Sequence, residues 1–397
     1  MSVFTFIRTL FSARRLMKKR LVCHAYYFRQ KPELYDWFRR HAKLQWLIKW
    51  HIPFAYGLLT CNHSPEYHYV AHWRDRTAAE PNGFFNTANY LSHHPELREK
   101  RGNPLWYFYR TGSRLGHDGC GEIRLNLAEL PKLRRQCEQR LGIVPIARGK
   151  LKAATVPRSG RIAVHLHLFY LEMLPEFASR LGQLKRDHTL LVSVPEGKAD
   201  AALEHKIRAF FPPPVRVVVS AVPNRGRDIA PMLCTFRDEL RRSDYFCHLH
   251  SKKSPHFCRS AAWNRALLDG LLGSAERINA ILARLSTDAK AVYVDAAKYT
   301  EPDPFTGWNA DYAPAKALLR RRFPELDIAD FPVIDFPHGT MFWGRTAAFH
   351  RLWEQNWDYA DFPAEPLGLD GTELHALERL MLILASDAPG AALKITS

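Results

Sequence analysis

The sequence predicts an α/β protein, a mainly parallel sheet with helices on both faces, preceded by a basic and mostly helical N-terminal region. Three observations predict it. Short apolar, β-branched runs alternate with helical patterns from Ile162 to Val294. Two neighbouring runs end in polar turns, Val222-Pro223-Asn224-Arg225-Gly226-Arg227-Asp228 and His250-Ser251-Lys252-Lys253. Charge divides the chain: residues 1–159 carry 28 Lys and Arg against 11 Asp and Glu, a net of +17, and the remainder is balanced.

In chain order, residues 1–75 mix aromatic and basic side chains without a clear period and specify no fold. Phe4, Phe6, Ile7, Leu10 and Phe11 with Arg8, Arg14, Arg15, Lys18, Lys19 and Arg20 suit an interfacial amphipathic helix and a frayed basic tail equally well. The apolar residues precede the basic cluster, the reverse of a secretory signal. Residues 84–118 read as two or three short helices around the Asn103-Pro104 turn. Residues 119–159 are basic and loop-like, ending in Pro157-Arg158-Ser159-Gly160. The expected organisation is therefore an N-terminal region at 1–118, a linker at 119–159 and an α/β domain at 160–397.

Within that domain the expected order is strand Ile162 to Phe169, helix Pro175 to Leu184, strand Thr189 to Val194, helix Ala199 to Phe210 and strand Val215 to Val219. Helix Ile229 to Arg241, strand Tyr245 to His250, helices Trp263 to Leu272 and Ala275 to Leu285, and strand Ala291 to Val294 follow. Pro-rich segments at 302–314 and 332–337 break the rhythm as loops. Near the C-terminus, Leu374, Leu377, Leu380, Met381 and Leu384 recur at helical spacing.

Three polar constellations stand out. The first is the turn after the 215–219 strand, where ligands sit in open α/β sheets. Asn224, Gly226 and Asp228 offer an amide, a free backbone and a carboxylate for a ribose and base, and Arg225 and Arg227 could face phosphates. A helix cap by Asp228 is the plain alternative. The second follows the next strand, where His248 and His250 lead to Lys252 and Lys253, suited to an anion. The third heads the last helix: Asp370, Thr372, Glu373 and His375. Capping explains one of its carboxylates, not the cluster.

The blocks NRGRDIAPML, CHLHSKKS, FPHGTMFWGRTAAF and LDGTELHALERL, in this order and spacing, resemble the rhamnan-synthesis protein F family of bacterial polysaccharide glycosyltransferases over Arg161 to Ala385. Phe84 to Asp118 looks like the short helical module that often precedes such domains, with His117 where an Arg is common. The order resembles the GT-A architecture of sugar-nucleotide transferases. Mapped on it, 222–228 is the nucleoside loop, His248 to Lys253 the diphosphate loop, and Asp370 the general base with Glu373 and His375 as alternatives. The departure is His248-Leu249-His250 where an Asp-x-Asp would hold a metal. Hard Mg²⁺ or Mn²⁺ prefers oxygen, so Lys252 and Lys253 are favoured over a divalent cation as the diphosphate's partners. Either histidine could equally be structural, on a strand covered on both faces.

In the FPHGTMFWGRTAAF block, His338, Gly339 and Trp343 are candidates for an acceptor or sugar pocket, while Met341 and Phe342 fit a buried strand at least as well. The resemblance implies an inverting transferase using dTDP-L-rhamnose on a polysaccharide or lipid-linked acceptor. A non-catalytic carbohydrate-binding or scaffold protein is the alternative, prompted by the missing Asp-x-Asp.

Composition narrows the rest. No run of eighteen apolar residues occurs, and the seven cysteines lack any C-x-x-C pair, which fits reduced thiols in the cytoplasm without structural zinc. The basic excess suggests an anionic membrane surface, hence a peripheral place at the inner membrane face. Nucleic acid is disfavoured, since no recognition motif accompanies the charge.

Overall fold

The structure, a computed structural model, describes residues 3–40, 64–75, 78–98, 102–151, 160–251, 260–295, 305–367 and 370–396. The chain forms two compact units. One joins Met1–Gln136, Pro302–Ile334 and Gly368–Ala376; the other joins Cys137–Glu301, Asp335–Leu367 and Leu377–Ser397.

The second unit is built on one eight-stranded sheet: β1 Ile143–Ala147, β2 Ile162–His167, β3 Thr189–Pro195, β4 Arg216–Val222, β5 Tyr245–His250, β6 Ala289–Val294, β7 Phe342–Arg345 and β8 Ala391–Thr396. The spatial order is β1-β8-β6-β7-β5-β2-β3-β4. Every pairing is parallel except those of β7, which runs antiparallel to β5 and β6. Every residue of β2 and β6 is buried. Because successive side chains point to opposite faces, a strand buried at all positions is covered on both sides.

Helices at Leu174–Leu181, Ser260–Leu272 and Ala275–Thr287 supply Phe177, Leu267, Leu271 and Ile281 to a core with Val164, Leu166, Val192, Leu249 and Val292. Burying each such side chain fully contributes about 1.5–3 kcal/mol.

Helix starts follow local chemistry. Asp200 accepts from the amide of Leu203 and Ser274 from that of Arg277, so each caps the helix that follows it. The helix expected from Ile229 to Arg241 is broken. Phe236 N reaches Pro231 O at 3.0 Å, an i to i−5 bond closing a π turn over Pro231–Thr235. Regular helix resumes at Arg237–Arg241.

Sequence reading missed both terminal contributions to the sheet. Part of the expected linker is folded: Leu130–Leu141 is helix, and Ile143–Ala147 pairs with the C-terminal strand Ala391–Thr396. Neither five- or six-residue strand has neighbours in sequence to reveal its partner. The helix Tyr312–Arg322 begins at the end of the 302–314 segment expected to be loop and runs on through residues to which the sequence reading assigned no element.

The first unit is helical, with Val3–Lys18, His24–Gln30, Pro32–Arg40, Pro65–His72, Thr87–His93 and Pro104–Arg110. Ser64, Asn86 and Asn103 each accept a backbone hydrogen bond as N-caps. Phe85, Tyr90 and Phe108 form an aromatic centre with ring centroids 5.0 to 5.5 Å apart. Along the first helix Thr9, Ala13 and Leu16 are buried on one face, whereas Arg8, Arg14, Arg15 and Lys18 are exposed, as are Lys19 and Arg20 just beyond it. Phe11 is 59% exposed. The side chains of Phe4, Phe6 and Ile7 lie outside the described residues. Among the described residues no helix is long and apolar enough to cross a membrane.

Candidate functional site

The sheet of the second unit reverses its direction of growth at β2. The chain steps from β2 to β3 and β4, then returns to lay β5 along the other edge of β2. Such a reversal opens a crevice outside the carboxyl ends of the two strands, the usual ligand position in open α/β sheets. The residues at those ends are His167 and His250.

Each strand carries the same tripeptide, His165-Leu166-His167 on β2 and His248-Leu249-His250 on β5. The parallel register sets His165 beside His248 and His167 beside His250, and on the other flank His167 beside Ser193 of β3. Alternate residues share a face, so the four imidazoles gather on one side of the sheet while both leucines enter the opposite face. All are buried: His165, His248 and Ser193 show no exposure and His167 keeps 6%. Asp228, from the turn after β4, joins them.

The polar groups form one hydrogen-bonded chain. Asp228 Oδ2 lies 3.1 Å from His248 Nε2, and His248 Nδ1 lies 2.9 Å from His165 Nδ1. His165 Nε2 and His167 Nδ1 each lie 2.9 Å from Ser193 Oγ. His250 stands to one side, donating from Nε2 to Gly339 O at 2.5 Å, with that nitrogen 4.0 Å from Asp228 Oδ2.

Burial and charge set the protonation states. Burial holds the His165 imidazole well below the ordinary histidine range and brings His167 down to about 4, so both are neutral near pH 7. Burial alone would raise the Asp228 carboxyl, but His250 and the hydrogen bond from His248 hold it well below the usual carboxylate range. Asp228 is therefore ionised.

The turn that presents Asp228 is fixed by contacts that consume its arginines. Arg225 donates from Nε to Phe362 O at 2.5 Å and from Nη2 to Ala360 O at 3.2 Å, and Arg227 pairs with Glu365 at 3.2 Å. Both tie the turn to the segment 360–365. Gly226 has φ +70°, and a Cβ there would lie 2.3 Å from the Cβ of Ala230 and 2.9 Å from the Phe362 ring, so only glycine fits. Asn224 is exposed at the tip. Lys252 and Lys253 lie outside the described residues.

The three candidates of the FPHGTMFWGRTAAF block separate. Gly339 closes the site: its carbonyl accepts from His250 and its amide donates to Glu378 at 2.6 Å. His338 stacks on Phe336 at 4.5 Å, half-buried, with its pKa lowered by burial. Trp343 has no exposed surface and donates its indole N–H to Leu271 O at 3.1 Å in the core, so the expectation of a sugar-stacking wall is corrected there. The missed residues are His165, His167 and Ser193. The repeated His-Leu-His was the available signal.

Asp370, Glu373 and His375 belong to the first unit. Glu373 is held by Arg321 through two 2.8 Å hydrogen bonds, one to each oxygen. His375 Nδ1 lies 2.8 Å from Thr372 Oγ1. Asp311, fully buried, accepts from Gly371 N at 2.8 Å. Asp311, Asp370 and His375 each offer one atom within 4.8 Å of the others, a donor set of two carboxylate oxygens and an imidazole nitrogen with the composition of a divalent-cation site.

Residues 146–389, more than half of the chain, match the family model for rhamnan synthesis protein F. The chain belongs to the rhamnan synthesis protein F family. It is also 30% identical over 230 residues to an uncharacterized protein, WxcX, in two strains of Xanthomonas campestris pv. campestris. That match covers 57% of the chain and 32% of WxcX, so the chain spans about a third of the relative's length. The rhamnan synthesis protein F match contains β2 through β7 and the whole His–Ser–Asp cluster. Membership associates the chain with rhamnan and polysaccharide synthesis.

Proposed function

We propose that this protein is an inverting glycosyltransferase of GT-A-like architecture that moves a deoxyhexose, L-rhamnose from dTDP-L-rhamnose, onto a polysaccharide or lipid-linked glycan. The observation that carries this reading is the buried His–Ser–Asp cluster at the switch point of a mainly parallel sheet, in a member of a rhamnan synthesis family.

In the reaction the acceptor oxygen bonds to the anomeric carbon, the bond from that carbon to the diphosphate oxygen breaks, and the hydroxyl proton passes to a carboxylate. The turn 222–228 takes the nucleoside, and Lys252 and Lys253 neutralise the leaving diphosphate. Asp370 is the base. The nearby buried Asp311 carboxylate favours the role, because like charge raises a neighbour's proton affinity. Glu373 is less suited, since Arg321 engages both of its carboxylate oxygens. His375 remains the alternative.

A divalent cation, if one serves, fits Asp311, Asp370 and His375 better than the histidines of β5, which donate to or share protons with fixed partners. The exposed basic residues of the first helix support a peripheral position at the cytoplasmic face of the inner membrane.

The test is release of dTDP from dTDP-L-rhamnose with a polysaccharide acceptor, with and without EDTA. Turnover resistant to EDTA supports the metal-free form, and turnover abolished by it moves the weight to the Asp311 group. Binding of the nucleotide without any turnover favours the non-catalytic reading, to which the absent Asp-x-Asp points.

A further inference from the structure

The hydrogen-bonded chain in the crevice has two proton arrangements, and pairing rules fix both. With Asp228 ionised and the imidazoles of His248, His165 and His167 neutral, His248 must donate from Nε2 to the carboxylate, leaving its Nδ1 as an acceptor. His165 then donates from Nδ1, Ser193 donates to His165 Nε2, and His167 donates from Nδ1 to Ser193. Nε2 of His167, at the end of the chain on the residue that keeps 6% exposure, is left as an acceptor.

One added proton reverses every bond of the chain except that from His248 to Asp228. His248 becomes imidazolium against Asp228 and donates from Nδ1 to His165. His165 donates from Nε2 to Ser193, Ser193 donates to His167 Nδ1, and Nε2 of His167 now bears hydrogen. The positive charge rests beside the carboxylate, and both His165 and His167 stay neutral in either arrangement.

We infer that the crevice binds its anionic ligand together with one proton, which settles on the His248–Asp228 pair and turns His167 Nε2 from acceptor into donor. This rests on the reading that the crevice holds a nucleoside diphosphate. A phosphate oxygen has no hydrogen to give to an acceptor nitrogen, and in the deprotonated chain no imidazolium at His248 offsets the Asp228 charge. In the protonated chain the His248–Asp228 pair is neutral overall and His167 presents a donor. The charged or titratable groups facing His167 are Asp228, His250, His248 and Lys198, the last with its ammonium bonded to Phe169 O at 2.8 Å; His165 faces His248, His167, Asp228 and His250.

The experiment is calorimetric titration of the full chain with dTDP at one pH in buffers of different ionisation enthalpy, which reads protons taken up per ligand bound. The expected result is uptake approaching about one proton near pH 7.5, with dTDP affinity falling as pH rises by up to about tenfold per unit. Ser193→Ala cuts the chain with minimal change of volume and is expected to bind dTDP more weakly, with the uptake largely lost. His167→Asn is expected to do the same. The dTDP phosphate's own titration is common to all variants and cancels between them. Binding without uptake, or uptake unchanged in both variants, overturns the inference and leaves the proposed function standing. Failure of the parent chain to bind dTDP removes both.

Discussion

The Nδ1 atoms of His165 and His248 face each other at 2.9 Å across the parallel pair β2–β5, with neither residue exposed. Two identical atoms at that distance share a hydrogen bond only when one of them carries the proton. The state of one ring therefore dictates that of the other, and Ser193 and Asp228 extend the constraint to both ends.

The pH dependence of stability follows from the same cluster. His165 and His167 are neutral in the folded protein and have lowered pKa values, whereas in the unfolded chain they titrate near the ordinary value of about 6.5. Their contribution is complete above that value and is lost as pH falls toward about 4, where His167 titrates. Asp228, with its pKa depressed, contributes above the ordinary Asp value of about 3.9 and adds a further loss below it. Urea midpoints measured across this range are expected to fall on the acid side, and His167→Asn is expected to flatten the upper part of that fall. An unchanged slope in the variant would show that His167 is not buried neutral.

Gly226→Ala places a methyl group where the Ala230 Cβ would be 2.3 Å away, on a backbone at φ +70°. Strain and overpacking together are expected to cost about 2–4 kcal/mol, read from chemical denaturation. Nucleotide binding should weaken as well, because the same turn presents Asp228. A cost below about 0.5 kcal/mol would mean that the turn adapts readily.

For the proposed chemistry, Asp370→Asn is expected to reduce turnover by at least about a hundredfold while sparing donor binding. Glu373→Gln removes one side of a partly exposed ion pair with Arg321 and is expected to cost about 0.5–1 kcal/mol of stability, with little change in turnover. Paired measurements of kcat and thermal midpoint separate the two. The reverse pattern would transfer the base role to Glu373.

Charge reversal of Arg14, Arg15 and Lys18 to Glu tests the membrane proposal without removing the buried Thr9, Ala13 and Leu16. Each basic group near an anionic surface contributes about 1 kcal/mol, so sedimentation with anionic vesicles should drop by orders of magnitude while neutral vesicles show no difference. Sedimentation equal to that of the parent chain would exclude this helix as the contact.

Much of the α/β order was legible because periodicity is local. The expected strand Tyr245 to His250 and the observed β5 coincide, and β2, β3 and β6 differ by one or two residues at an end. The helix after Asp228 was misjudged because apolar spacing does not register the π turn over Pro231–Thr235. For the candidate site, polar strand ends were visible individually. Arg225 and Arg227 looked available for phosphates because their partners, Ala360, Phe362 and Glu365, lie more than a hundred residues away.

The sequence by itself determined that the segments of β2 to β6 become strands, that two of them carry His-Leu-His, and that a carboxylate follows β4. Only the tertiary structure decided that those two strands are neighbours in matching register, that Ser193 bridges their histidines, and that Asp311 rather than Glu373 stands with Asp370. The reason is physical: side-chain periodicity belongs to a few consecutive residues, whereas strand pairing and hydrogen bonding at 3 Å arise from contacts between distant segments, and a slip of one residue would turn every histidine to the opposite face.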